Sequence, residues 1–266
     1  GGRVMNSTET LPRVYHIPGM QNLRDAGGRA TLAGARMRTG RLFRGAHPGG
    51  LDEAGCAALA ALGIATIIDL RGREEAARQP MYAAAGLTRL AFPIEPRDTA
   101  PLAALAATGE ATPQAMRDWM IAGYRRYVAQ ESAAFAEAMA ALVERVDRGV
   151  MVHCTAGKDR TGFLVASVQS ALGVPMAEVM ADYVATDRFW RPPPPKPGVA
   201  EATHRALMAA DPKFLAAAFA EAEARHGAIE TFLDAGLGLV ASSRARLADA
   251  LLLPPGHIFL EQENRP

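Results

Sequence analysis

The sequence predicts an α/β layered core with a helical final third, on three observations. Short β-branched runs alternate with Ala-rich amphipathic stretches over the first 153 residues. From Arg160 onward the chain is helix-like almost to its end, broken by Gly173-Val174-Pro175, by Arg191-Pro192-Pro193-Pro194-Pro195-Lys196-Pro197-Gly198 and by Asp211-Pro212. The chain is also long enough: 266 residues, 49% hydrophobic and 21% charged, supply a core for one large domain or two small ones and exclude disorder as the main state.

Taken in chain order, Arg41-Leu42-Phe43-Arg44 is a weak strand candidate, and a helix is expected over 52–62. Ala65-Thr66-Ile67-Ile68-Asp69-Leu70, β-branched and closed by charge, has the size of a buried strand. A helix over 73–86 and a weak strand at Thr88-Arg89-Leu90-Ala91-Phe92 follow. The segment from Pro93 to Pro101 combines three prolines with three charges and is a loop. A helical stretch covers about 113–147, and Gly149-Val150-Met151-Val152-His153 is a second buried strand. Small residues in the helical stretches permit close packing. The proline run cannot be helix; a stiff surface loop between two helices is preferred over a proline-recognition ligand. No internal repeat is present.

Composition narrows the function classes. With 29 Lys plus Arg against 28 Asp plus Glu, the formal charge of +1 lacks the field of a nucleic-acid binder. Lys158, Lys196 and Lys213 are the only lysines, so the drift toward Arg discounts scattered arginines as a basic surface. Two cysteines, Cys56 and Cys154, are too few for a disulfide framework or a thiolate metal site, and a reducing, cytoplasmic compartment is expected, with export lacking a cleavable signal left open. No apolar run reaches about 18 residues and the start carries no signal-like run, so no transmembrane segment is expected. Neither a metal, a cofactor nor an obligate partner is expected.

Chemistry concentrates in Val150-Met151-Val152-His153-Cys154-Thr155-Ala156-Gly157-Lys158-Asp159-Arg160-Thr161-Gly162-Phe163-Leu164-Val165: an apolar strand, a loop with two glycines flanking charges, then an apolar helix. A strand feeding a tight loop at a helix N-terminus binds oxyanions, because unpaired N–H groups and the helix dipole converge on one point. The same arrangement favours a thiolate. Five residues separate Cys154 from Arg160. A loop curled around one phosphate would set the sulfur under phosphorus and the guanidinium beside two equatorial oxygens. A Walker-type loop is rejected, since Val152 stands where its first Gly belongs and Asp159 where Ser or Thr should follow the Lys.

His153-Cys154-x5-Arg160-Thr161-Gly162 resembles the signature of the cysteine-dependent protein tyrosine phosphatase superfamily, and its fuller form His-Cys-Thr-Ala-Gly-Lys-Asp-Arg-Thr-Gly resembles the bacterial tyrosine/serine phosphatases, whose atypical dual-specificity members in mycobacteria and Listeria also dephosphorylate phosphoinositides. Asn22-Leu23-Arg24-Asp25-Ala26-Gly27-Gly28, Arg41-Leu42-Phe43-Arg44-Gly45-Ala46 and Ile68-Asp69-Leu70-Arg71 followed by Glu74 and Glu75 are similar to that family too, as is the stretch from Ala224 to Gly238. The resemblance covers about residues 12–252. It implies one phosphatase domain over 12–252 with a central, mostly parallel sheet flanked by helices, and terminal extensions at 1–11 and 253–266. It also implies a helical lid or insertion over 102–147, against which stands a plain core helix.

In that frame Cys154 is the nucleophile and Arg160 clamps the transition-state oxygens, a bidentate task Lys cannot imitate. Thr155, Ala156, Gly157, Lys158 and Thr161 bind phosphate. Cys56 is a buried structural cysteine. His153 orients the loop, or is a packed strand-end residue. Thr161 assists the leaving thiolate, caps the helix, or both. The general acid is open between Asp159, in the loop and taken first, Asp98 in the Pro-rich loop, and Asp69 at a strand end, where an ion pair with Arg71 is the plain alternative. Lys158 adds a mobile charge that could meet a second phosphate on an inositol ring, or is simply solvated. Asn22, Arg24 and Asp25 pack a turn near the site, with Gly27-Gly28 allowing positive φ. The expected function is hydrolysis of phosphotyrosine, with phosphoserine, phosphothreonine and phosphoinositides as further substrates, through a phosphocysteine. The rivals are a silent phosphate-binding module and a rhodanese-like sulfurtransferase.

Overall fold

The structure, a computed structural model, describes residues 13–81 and 84–255. The extension 1–11 and everything beyond Pro255 lie outside those residues. Seven strands are present among them: β1 (Arg24–Asp25), β2 (Arg36–Met37), β3 (Leu42–Gly45), β4 (Ile64–Asp69), β5 (Thr88–Ala91), β6 (Gly149–His153) and β7 (Leu252–Leu253). The helices begin with α1 (Glu53–Ala61), α2 (Arg73–Arg78), α3 (Ala100–Thr108), α4 (Pro113–Ala129), α5 (Ser132–Arg145) and α6 (Asp159–Ala171). They continue with α7 (Met176–Val184), α8 (Thr186–Phe189), α9 (Glu201–Met208), α10 (Pro212–His226), α11 (Ile229–Ala235) and α12 (Ala241–Leu251).

The main sheet has the order β1-β3-β6-β4-β5. The β3–β6, β6–β4 and β4–β5 pairs are parallel, and β1 alone runs antiparallel at the edge. The mostly parallel sheet is therefore present. Strands β2 and β7 form a separate antiparallel ribbon.

Period-two alternation divides the core into two layers. Leu42, Ile68, Val150 and Val152 face a large cluster with α4 to α7 and α10 to α12, built around Phe135, Phe163, Phe214 and Phe232. Phe43, Ile67 and Met151 point the other way, onto Leu51, Cys56 and Leu59 beside and within α1. Both long strands are buried on both faces, which is why they read as continuous apolar runs. Cys56 is buried in the smaller cluster, consistent with packing.

Local chemistry sets several boundaries. Asp52 and Asp211 cap α1 and α10 with their side chains, and Pro212 sits in the first turn of α10. The expected helix over 73–86 stops at Arg78, because the residue before Pro80 is steered out of the helical region. The stretch 102–147 divides into most of α3, α4 and α5. Helices α4 and α5 place Met120, Tyr124, Val128, Phe135, Met139 and Leu142 in the core, and α4 packs along α9 and α10. Of these three helices, α3 alone has no buried residue. The proline run joins α8 to α9 as an exposed linker. No described helix is long and apolar enough to cross a membrane.

Candidate active site

The C-terminal ends of the parallel strands converge, the place where open α/β sheets bind ligands. Cys154 follows β6 and is buried; Asp69 ends β4 and Gly45 ends β3. Residues 154–158 curl into the N-terminus of α6, and every carbonyl in that curl is tied outward. His153 Nδ1 donates to Cys154 O at 2.9 Å. The His47 amide donates to Thr155 O at 3.1 Å, and the Gly162 amide to Lys158 O at 2.8 Å. Asn22 Nδ2 reaches Ala156 O at 2.9 Å and Gly157 O at 3.3 Å, and Arg44 Nη2 reaches Gly157 O at 2.9 Å.

With the carbonyls facing out, the amides turn the other way. Among the described residues, none of the N–H groups from Thr155 to Arg160 donates to a protein acceptor. Gly157 makes the tight turn, with φ +68°, and a Cβ there would stand 2.2 Å from Gly45 O, so the loop lies against the end of β3. A row of unpaired amides at a helix start is an oxyanion cup.

Arg160 is nine-tenths buried at the start of α6. Its Nη1 and Nη2 meet the two oxygens of Glu75 at 2.6 and 2.9 Å, and Nη1 also donates to Ile94 O at 2.8 Å. Glu75 Oε1 accepts from Thr155 Oγ1 at 2.6 Å, and Oε2 from the Gly72 amide at 2.8 Å. Burial pushes the Glu75 carboxyl up, but the Arg160 hydrogen bonds outweigh it and lower it to about 2. Burial works against the Arg160 charge, and Glu75 together with the Cys154 sulfur restores it, holding the guanidinium above its ordinary value. Arg160 Nε makes no hydrogen bond to another described residue, so one edge of the fork is available to an anion.

Asp159 opens α6. Its Oδ1 accepts from the Tyr124 hydroxyl at 2.7 Å and lies 3.5 Å from Lys158 Nζ. Beside it a cavity of about 140 Å³ is lined by Arg97, Trp119, Tyr124, Tyr127, Asp159 and Arg160. The other acid candidates sit elsewhere. Asp98 is exposed and accepts the Ala100 amide at 2.9 Å, a turn contact at the start of α3. Asp69 is buried, with Arg71 at 2.8 Å and Arg89 at 2.7 Å. Burial alone would raise it, but those guanidinium groups hold its carboxyl below the usual range, so it is an ionised partner rather than a proton donor.

Two readings of the loop change. Lys158 is neither mobile nor solvated: it is buried, and its Nζ donates to the carbonyls of Leu207, Met208 and Ala209 at 3.3, 2.9 and 3.1 Å, closing the C-terminus of α9. A charge held there is not free to meet a second phosphate. Thr161 does not cap α6, whose flanking residue is Lys158; its hydroxyl is buried and has no partner among the described residues. His153 is neutral, since burial pulls it down from the usual 6.5 to about 4 against the pull of Asp69, 3.6 Å away.

A buried ionic cluster stands behind the cup. Asp182 on α7 meets Arg24, Arg29 and Arg44 at 3.5, 3.4 and 2.7 Å, and Arg44 carries on to the loop. Arg24 also donates to Asn22 Oδ1, and burial beside Arg44 lowers its guanidinium to about 9. Asn22 itself takes the left-handed conformation, φ +60°; Gly28 follows the expected positive φ, whereas Gly27 is small because a Cβ would stand 2.0 Å from Arg38 O. Sequence reasoning missed Glu75, Tyr124, Tyr183 and Asp182 as site neighbours. The helical stripe Met116, Met120, Tyr124, Val128 was the one available signal that Tyr124 points inward.

A model of the tyrosine phosphatase family matches residues 15–253. The chain is 34% identical over 195 residues to the triple specificity protein phosphatase PtpB of Mycobacterium tuberculosis, covering 65% of this chain and 69% of that one. It is 31% identical over 150 residues to a tyrosine-protein phosphatase of Nostoc commune, covering 55% of this chain and 48% of the relative. Among solved structures, TpbA of P. aeruginosa aligns at 16% identity over 76% of this chain and 98% of that one, with a TM-score of 0.32, too loose to carry an argument.

Proposed function

We infer, because the chain belongs to the tyrosine phosphatase family, that Cys154 and Arg160 perform its cysteine-dependent phosphatase chemistry in the amide cup. One observation carries the assignment: every carbonyl of the curl is tied outward while the amides of Thr155 to Arg160 lack acceptors among the described residues. Such preorganised donors stabilise charge on the equatorial phosphoryl oxygens without reorganising during reaction.

In the first step the Cys154 thiolate forms the S–P bond while the P–O bond to the leaving group breaks, and Asp159 gives its proton to the departing oxygen. In the second, water attacks phosphorus, returns a proton to Asp159, and the S–P bond breaks. The Thr161 hydroxyl, buried and unpartnered among the described residues, is suited to receive the leaving thiolate. Glu75 holds the Arg160 fork in register, and neutral His153 fixes the carbonyl of Cys154. No step requires a metal.

Phosphotyrosine is the first substrate. The aromatic wall of Trp119, Tyr124 and Tyr127 beside Asp159 and Arg160 suits an aryl ester. Since the mycobacterial relative is a triple specificity phosphatase, the phosphoserine, phosphothreonine and phosphoinositide expected from the sequence are the arms to test next, although the inositol reading no longer has Lys158 in its favour. A thiolate nucleophile suits a reducing compartment such as the cytoplasm.

The purified chain should release phosphate from a phosphotyrosine peptide and keep its rate in a chelator. Cys154→Ser should release none while retaining its melting transition; hydrolysis of an aryl phosphate by that variant would overturn the mechanism. Asp159→Asn should lose roughly 10²-fold on alkyl phosphates and far less on activated aryl phosphates. Phosphate binding without turnover would favour a silent module, and sulfur transfer to cyanide a rhodanese-like enzyme.

A further inference from the structure

We propose that Tyr124 and Tyr183 are positioning residues that select which oxygen of Asp159 handles the proton, an inference that rests on Asp159 being the general acid. A carboxyl group at the first position of a helix can turn, and its two oxygens are chemically equal. Only one of them can face the leaving oxygen. Here the symmetry is broken: Oδ1 accepts from Tyr124 at 2.7 Å and lies 3.5 Å from Lys158 Nζ, whereas Oδ2 makes no hydrogen bond to another described residue.

The direction of the chain follows from hydrogen counting. Tyr124 has one hydroxyl hydrogen and gives it to Asp159, so in the 2.7 Å contact between the two phenols Tyr183 donates and Tyr124 accepts. Two donors in series thus end on Oδ1. Both rings are tightly packed. Tyr124 is buried among Tyr127, Phe214 and Tyr183, with ring centroids 5.1 to 6.1 Å away. Tyr183 is fully buried against Gly162, where a Cβ would stand 2.8 Å from its ring. Burial raises both phenols well above their ordinary value, so each keeps its hydrogen through the neutral range. Lys158, Arg160 and Tyr127 also lie around the carboxylate, and Glu95, Arg97, Arg126 and Glu131 line the cavity beside it.

Oδ2 therefore carries the proton to the leaving group and recovers it from water, while the tyrosine pair anchors Oδ1 and transfers no proton itself. The unused chemistry of two buried hydroxyl groups in an otherwise aromatic cluster is accounted for.

Phenylalanine removes each hydroxyl and keeps each ring. Tyr124→Phe should lose about tenfold in kcat on a phosphoserine peptide and under about twofold on p-nitrophenyl phosphate. Because a donor to the ionised carboxylate is gone, the high-pH limb of the phosphoserine profile should move upward. Tyr183→Phe should act in the same direction and less strongly, and the double variant should match Tyr124→Phe, since one hydroxyl works through the other. A merely structural role would lower both substrates alike and leave the limb in place, which would overturn the proposal. Should Tyr124→Phe fold poorly, Tyr183→Phe carries the same readouts. Asp159→Asn is run beside them. If it too treats both substrates alike, the acid assignment fails; if it discriminates and the tyrosine variants do not, only the tyrosine proposal falls.

Discussion

Asn22 shows how one residue serves backbone and chemistry together. It adopts φ +60°, a conformation that Asn tolerates better than most residues, and its amide holds two carbonyls of the cup. Asn22→Ala removes those bonds and keeps an unsuited backbone, so it should cost about 2–4 kcal/mol in urea unfolding; Asn22→Gly relieves the backbone and should cost about 1 kcal/mol less. Equal losses would show that the conformation contributes nothing. At this scale the sequence was most legible where chemistry repeats as a pattern. Cys154 and Arg160 stood out by their spacing within a strand–loop–helix pattern, Asp159 through the family resemblance with Asp98 and Asp69 as rivals, and Asn22 by its motif. Glu75, Tyr124 and Tyr183 did not, because each reaches the site from 35 to 85 positions away or through another ring, and distance in space leaves no local trace.

Elements were legible in proportion to their burial. Strands β4 and β6 announce themselves as β-branched runs because both faces are covered. Two-residue strands such as β1, β2 and β7 carry no periodicity to find. Helices α4 and α5 read as one because Gln130 and Glu131, where they part, include neither Gly nor Pro. The lid reading of 102–147 rests on surplus length over a minimal domain, and length does not reveal where the extra helix packs. Hydrogen exchange separates the cases. Amides of α4 and α5 should be protected on the scale of β4 and β6, while those of α3, which buries no residue, should exchange orders of magnitude faster. Uniform protection across 100–145 would contradict this division.

The whole molecule stacks two apolar layers on one sheet and sets its ionised groups at the strand ends between them, so acid should unfold it in stages. His153 is neutral when folded, drawn down to about 4, but an unfolded histidine takes a proton near 6.5. Stability from this residue is thus complete above about pH 6.5 and falls by up to about 3 kcal/mol as pH drops toward 4. Glu75 acts in the following window: its contribution is present above its usual 4.5 and is lost as pH falls toward about 2. Urea midpoints across pH should show both, and His153→Gln should flatten only the upper window; parallel curves for the two proteins would refute the assignment. The tied carbonyls have one more consequence. The curvature of residues 154–158 is imposed by groups at positions 22, 44, 47, 153 and 162, of which the first three come from two distant parts of the chain. A ten-residue peptide with this sequence, or the same letters grafted onto a foreign scaffold, would keep every reactive atom and still be unable to hold an anion.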